Sequence, residues 1–194
     1  MIEVPVDSGG DDTLTSERAV ELLNGALDFI ERNGVAQFSL AAIAEHLGTS
    51  SRMLIYHLGT RDQILGRALT ERRIRTRELL IEPPPTDFAD AVTRIFRHYT
   101  EHRWEMELFF FVSTRAFEEP DAYSEFSRTA AEVWLSMLAE AGERGGLNPD
   151  AALRAATIGL ALVRGLLLDL SLSGAIERVC ESFDEYISSV AGSP

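Results

Sequence analysis

Apolar residues recur every three or four positions through nearly every long stretch of this chain, a period that only helices satisfy. Phe88, Ala91, Val92, Ile95, Phe96 and Tyr99 fall at i, i+3, i+4, i+7, i+8 and i+11, one face of an amphipathic helix. Ala19, Leu22, Leu23, Ala26, Leu27 and Ile30 form a second stripe within residues 16–33. Residues 104–117 (WEMELFFFVSTRAF) predict an aromatic-rich helix. The stretch from Pro120 to about Arg144 predicts another, with Tyr123, Phe126, Ala130, Trp134, Met137 and Leu138 inward. A last helix over 175–190 is striped by Ile176, Val179, Cys180, Phe183, Ile187 and Val190. No stretch reads as a strand. The expectation is an all-α chain of about nine helices.

Capping and breaking residues divide the pattern. Gly34 stops the first helix. Ser39 can cap a short helix over 40–46 that ends near Gly48, and Ser50 can cap another to about His57. Gly59 breaks the chain, and Thr60 to Gln63 has the spacing of a capping box, which opens a helix to about Leu80. Pro83, Pro84 and Pro85 end that run, and Asp87 caps the next helix. Asn148 followed by Pro149 is a cap with proline at the first helical position; it starts a helix to about Leu172.

The net charge is −13, which by itself argues against a nucleic-acid partner. Its distribution points the other way. Residues 48–77 carry seven arginines and two acids, whereas residues 81–194 are net −10. A basic segment beside an acidic body suits a DNA-reading head, and equally a solvated helix face. Every basic side chain but histidine is arginine, which suits forked phosphate contacts. Residues 1–13 are polar and acidic and read as a disordered leader. They lack the pattern of a signal peptide, so a cytoplasmic protein is expected. The apolar run 158–172 contains Arg164 and Asp169, which favours a buried helix over a membrane span. The lone Cys180 cannot form an intrachain disulfide and reads as a small core residue.

Residues 39–58 (SLAAIAEHLGTSSRMLIYHL) carry the functional signal. Two short helices joined at Gly48 have helix-turn-helix spacing. Ala44 is small where the helices cross, and Ile43, Leu47 and Leu54 supply apolar anchors. The second helix begins Ser50-Ser51-Arg52, and it is the N-terminal end of such a helix that enters the major groove. Tyr56 and His57 sit at its far end, within reach of phosphates, and Arg61 opens the following helix, where the dipole also favours phosphate. Structural roles compete: Ser50 as a cap alone, Tyr56 packed on the first helix, His57 bonded to a carbonyl. Arg52 is the best candidate for a base contact, because arginine pairs bidentately with guanine.

With these residues in view, positions 16–65 resemble the DNA-binding head of the tetracycline-repressor (TetR) family. The matching stretches are Ile43-Ala44, Gly48-Thr49-Ser50, Ile55-Tyr56-His57-Leu58 and Arg61 through Leu65. The resemblance implies that Ser39 and Ser50 cap helices and touch phosphate. It implies that Ser51, Arg52 and Met53 face bases, and that Tyr56, His57 and Arg61 hold the DNA backbone. Ile55 stands where the family usually has Tyr, Leu58 where it has Phe, and Arg61 where it has Lys.

The resemblance further implies a DNA-binding domain over 14–60, an effector-binding and dimerising domain over 61–194, and a homodimer on a double-stranded operator. A repressor released by a small, largely apolar molecule is the expected function. Trp104, Met106, Phe109, Phe110, Trp134 and Met137 could line its pocket, or simply fill a core. The helix over 149–172 is apolar on more than one face, so it needs two partners, one of which could be another chain. No enzyme motif, cofactor site or metal site is expected. His98 and His102 are spaced i, i+4, but no third ligand is evident. Two other classes remain open: a helical small-molecule-binding protein whose head has lost DNA binding, and a helical interaction scaffold.

Overall fold

The computed structural model describes residues 17–191, which contain ten α-helices, one 3-10 turn and no strand. The helices are α1 (Glu17–Asn33), α2 (Leu40–His46), α3 (Ser51–Leu58), α4 (Arg61–Leu80) and α5 (Phe88–Glu101). They continue as α6 (Arg103–Glu118), α7 (Ser124–Thr129), α8 (Glu132–Arg144), α9 (Pro149–Ser173) and α10 (Ile176–Ala191). The expected leader over 1–13 lies outside the described residues. The chain divides into two compact units whose border, between Ala68 and Leu69, falls inside α4.

The caps are where the sequence puts them. Ser39 Oγ accepts from the Ala42 N–H and Ser50 Oγ from the Met53 N–H, each at 3.2 Å. Thr60 and Gln63 form the reciprocal box: the Thr60 N–H donates to Gln63 Oε1 at 2.8 Å, and the Gln63 N–H to Thr60 Oγ1 at 3.3 Å. Asp87 caps α5, and Asn148 caps α9 with Pro149 in its first turn. Each satisfies a donor that a helix N-terminus otherwise leaves orphaned.

In the first unit, α1, α2 and α3 pack around Leu22, Ile30, Ile43, Leu54 and Leu58, all essentially buried. Gly25 lets α1 approach closely: a Cβ there would lie 2.2 Å from Leu47 Cδ2. A hydrogen bond of 3.1 Å joins His46 to Asp28 and ties α2 to α1. The turn between α2 and α3 is closed by the Thr49 N–H on the Ala44 carbonyl at 2.9 Å.

In the second unit, α5 lies against α6, α8, α9 and α10, and α8 runs beside α9. The stripe read from the sequence, Phe88 to Tyr99, is buried along its whole length. One expected helix is two. The stretch from Pro120 to Arg144 is broken at Ala130 and Ala131. The Trp134 N–H turns to the Ala131 carbonyl, and the Ala130 carbonyl accepts from Arg164 Nη2 of α9 at 2.7 Å. A side chain inserted into the hydrogen-bond ladder in this way interrupts a helix.

By length and composition α9 could cross a membrane, and about a third of its most apolar window is buried. It packs against α5, α8 and α10, Arg164 bonds to a backbone carbonyl, and Asp169 pairs with Arg178 at 2.6 Å. These contacts identify a core helix of the second unit.

Gly48 has φ +60°, the left-handed region that penalises a Cβ. Gly48→Ala is expected to destabilise the first unit by about 1 kcal/mol. A lowered urea midpoint with an unchanged slope would register it.

Candidate nucleic-acid interface and interior cavity

Two places in the structure gather chemistry, one in each unit. The first is α3. Leu54 and Leu58 are fully buried and fix the helix on α1 and α2. The opposite face is open: Arg52 is exposed, as are Met53, Ile55 and Tyr56, the last at 74%. Ser51 and His57 are half-buried at its margins. The Tyr56 and His57 rings meet edge to face at 4.9 Å. Tyr56 is therefore not packed on α1. Among the described residues no side-chain bond holds Arg52, and no carbonyl bond holds His57.

Arg61 is engaged within the first unit. Its Nε donates to the Phe38 carbonyl at 3.1 Å, its guanidinium lies 5.7 Å from the Phe38 ring, and Asp62 is within 3.5 Å. It braces the start of α4 against the segment before α2. Arg67 donates to the Leu58 carbonyl at 3.1 Å and closes the C-terminal end of α3.

The basic run 48–77 is also less of a surface than its composition indicates. Arg72 donates to Glu105 Oε1 at 2.7 Å, Arg73 is buried, and Arg75 pairs with Glu71. Arg72 and Arg73 thus belong to the interior of the second unit.

That interior holds the other feature. Glu105, 2% exposed, accepts from Arg72 Nη2 at 2.7 Å, from His98 Nε2 at 2.9 Å and from Thr76 Oγ1 at 3.0 Å. Burial pushes its carboxyl up, but the hydrogen bonds and charges of His98 and Arg72 outweigh this and hold it below the ordinary glutamate range. His102 stacks on His98 at 4.3 Å, and Glu105 beside them is the third ligand-type group that the sequence did not disclose. The guanidinium already on Glu105 Oε1 is a poor neighbour for a metal cation. The cluster is a hydrogen-bonded ion network in its own right.

Beside it lies a cavity of about 20 Å³. Three of the six expected pocket residues line it: Met106, Phe109 and Trp134. The other three lie elsewhere. Met137 is deep in the core, Phe110 packs on the core's edge, and Trp104 carries Arg72 over its ring at 5.2 Å. Arg73, Tyr99, Glu105 and Arg164 also line the cavity, and the sequence reading did not select them. Arg164, stranded in an apolar run, was the available signal.

No family model matches the sequence, and no curated protein does. Solved structures do match by shape. A TetR transcriptional regulator from Legionella pneumophila superposes with a TM-score of 0.72 at 18% identity, over 90% of this chain and 97% of that one. The fold is that of TetR-type regulators. A transcriptional regulator from Rhodococcus sp. Rha1 matches at TM-score 0.70 and 23% identity, over 88% of this chain and 94% of its own. A candidate regulator from Saccharomonospora viridis, solved in complex with choline, matches at TM-score 0.67 and 20% identity, over 90% and 97%. At these identities the TetR-type likeness is one of fold. The all-α architecture read from the sequence agrees with it.

Glu105→Gln is expected to cost the second unit roughly 3 kcal/mol, because it leaves Arg72 and His98 facing a neutral group. Since the folded carboxyl titrates below its unfolded value, its contribution is complete above the ordinary glutamate pKa of about 4.3 and is lost as pH falls through the lower folded value. Denaturation curves over that acid range should therefore fall less steeply for the variant than for the parent protein.

Proposed function

We propose that this protein is a DNA-binding transcriptional regulator. In this role α3 enters the major groove, the second unit binds a small effector, and the active species is a cytoplasmic homodimer. The observation that carries the proposal is the two-sidedness of α3: Leu54 and Leu58 anchor it while Arg52, Met53 and Tyr56 face outward. A helix so held presents its first turn rigidly, which base reading requires. Ser50 caps that turn, Ser39 caps α2 and His57 lies in the last turn of α3, and in this reading all three contact phosphate. Arg61 acts mainly by positioning the head. Release of DNA on effector binding, and hence repression, completes the proposed cycle.

Dimerisation is supported by α9. Ile158, Ala161, Gly165, Leu168 and Leu172 are all exposed and follow at alternating steps of three and four, the spacing of a helix–helix seam. Such a stripe in water calls for a partner helix, and a second copy supplies it symmetrically. The S. viridis protein's complex with choline supports small-molecule binding as the task of this kind of helical body.

A second reading is a ligand-binding protein whose head no longer holds DNA. It is favoured by the commitment of Arg61 and Arg67 to backbone carbonyls and by the net charge of −13.

Fluorescence anisotropy on the protein's own promoter region separates the two. Binding should weaken steeply with salt, and Arg52→Ala should lose about 1–3 kcal/mol and relax specificity at one base pair. Absence of salt-sensitive binding, or an unaffected Arg52→Ala variant, would sink the regulator. Sedimentation should give twice the mass of one chain, and Leu168→Glu should shift the protein to monomer.

A further inference from the structure

Arg73 is 2% exposed, and its Nε and Nη1 are buried with no hydrogen-bond partner. Its contacts are Nη2 donating to Thr129 Oγ1 at 3.3 Å and the Phe126 ring at 5.3 Å. A second arginine lines the same cavity. Arg164 donates one bond, to the Ala130 carbonyl, and lies over the Phe109 ring at 4.8 Å. Among the described residues no carboxylate pairs with either. Glu105, the acid in the cavity wall, is already held by Arg72, His98 and Thr76. The wall thus combines two unneutralised guanidiniums with a tyrosine hydroxyl, and the rest of it, including Ile95, Trp134 and Leu160, is largely apolar. Buried charge of one sign with unmade donors is costly to a folded protein. It is the arrangement expected where a ligand brings the opposite charge.

We propose, building on the ligand-binding role given above to the second unit, that its effector is a small organic monocarboxylate. The carboxylate is held by Arg73 and Arg164, and the apolar remainder lies against Trp134 and Phe109. A guanidinium fork matches a carboxylate's two oxygens, and the Tyr99 hydroxyl can add a third donor. Burial pushes the Tyr99 phenol far up, with Glu105 adding to the effect, so it keeps its proton. A cation is repelled by the two arginines. A multiply charged phosphate is disfavoured by the apolar walls and by Glu105. The cavity of about 20 Å³ has room for roughly one water-sized group, so as it stands it admits only the carboxylate head, and the proposal requires the Met106 side chain in its wall to move aside for the apolar remainder.

Thermal melting of the full-length protein tests this, with butyrate and benzoate set against butyramide, benzamide, tetramethylammonium, inorganic phosphate and sodium chloride at equal ionic strength. A carboxylate present at about a hundred times its Kd should raise the melting temperature by roughly 5–10 °C, and its amide should not. Arg73→Met should weaken carboxylate binding by about tenfold or more while melting no lower than the parent protein without ligand. Arg164→Met, at a half-buried position, gives the same readout if the first variant does not fold. Amides as effective as acids, a response only to phosphate or tetramethylammonium, or a full carboxylate response in both variants would overturn the carboxylate. So would silence with both acids. Promoter binding measured on the same preparation reports on the regulator independently, so the two can fail separately.

Discussion

The second unit is organised around one buried carboxylate. Glu105, from α6, receives bonds from Arg72 and Thr76 of α4 and from His98 of α5, and so fixes three helices at a single point. Apolar packing alone rarely sets the rotation of a helix about its own axis, because neighbouring hydrophobic side chains are interchangeable. A charged network is not: turning α4 by one residue would part both Arg72 and Thr76 from Glu105. The same network accounts for a helix that its sequence scarcely announces. α4 carries six arginines and three acids, yet it buries Arg73 and Thr76 almost completely.

The first unit solves a different problem. Helices of seven and eight residues are too short to persist alone in water. Here their first turns are closed by Ser39 and Ser50, and their inner faces by Ile43, Leu54 and Leu58. Arg61 and Arg67 add bonds to the Phe38 and Leu58 carbonyls, bracing the segments that flank the helix pair. The result is a rigid platform whose outward residues contribute little to its own stability, and such residues are free to be selected for contact with something else.

How much of this was legible in the sequence depended on the range of the interaction. Caps and turns act over three or four residues, so Ser39, Ser50, Asp87 and Asn148 could be read directly. Buried stripes repeat at the helical period, so α1 and α5 were equally plain. The break between α7 and α8 was not, because it rests on an arginine 34 residues further on. Arg72 and Arg73 were read as part of a basic surface for the same reason: Glu105, the carboxylate that draws Arg72 inward, is 33 residues away. Of the expected pocket residues, Met106, Phe109 and Trp134 line the cavity, whereas Trp104, Phe110 and Met137 share their composition but not their place. Aromatic content marks a core, and only polar groups facing inward mark a site within it.

The arginines of α4 therefore divide by position along one helix. Arg61 and Arg67 bond to carbonyls of the first unit, and Arg72 and Arg73 bond within the second. A ligand shifts an equilibrium only by binding two states differently. A group that meets Arg73 with an opposite charge has a large differential available, because without it the guanidinium has unmade bonds in an apolar surround. An apolar molecule filling the same space would gain contact area but leave that deficit in place. Charge, more than volume, is thus the means by which this interior can distinguish one small molecule from another.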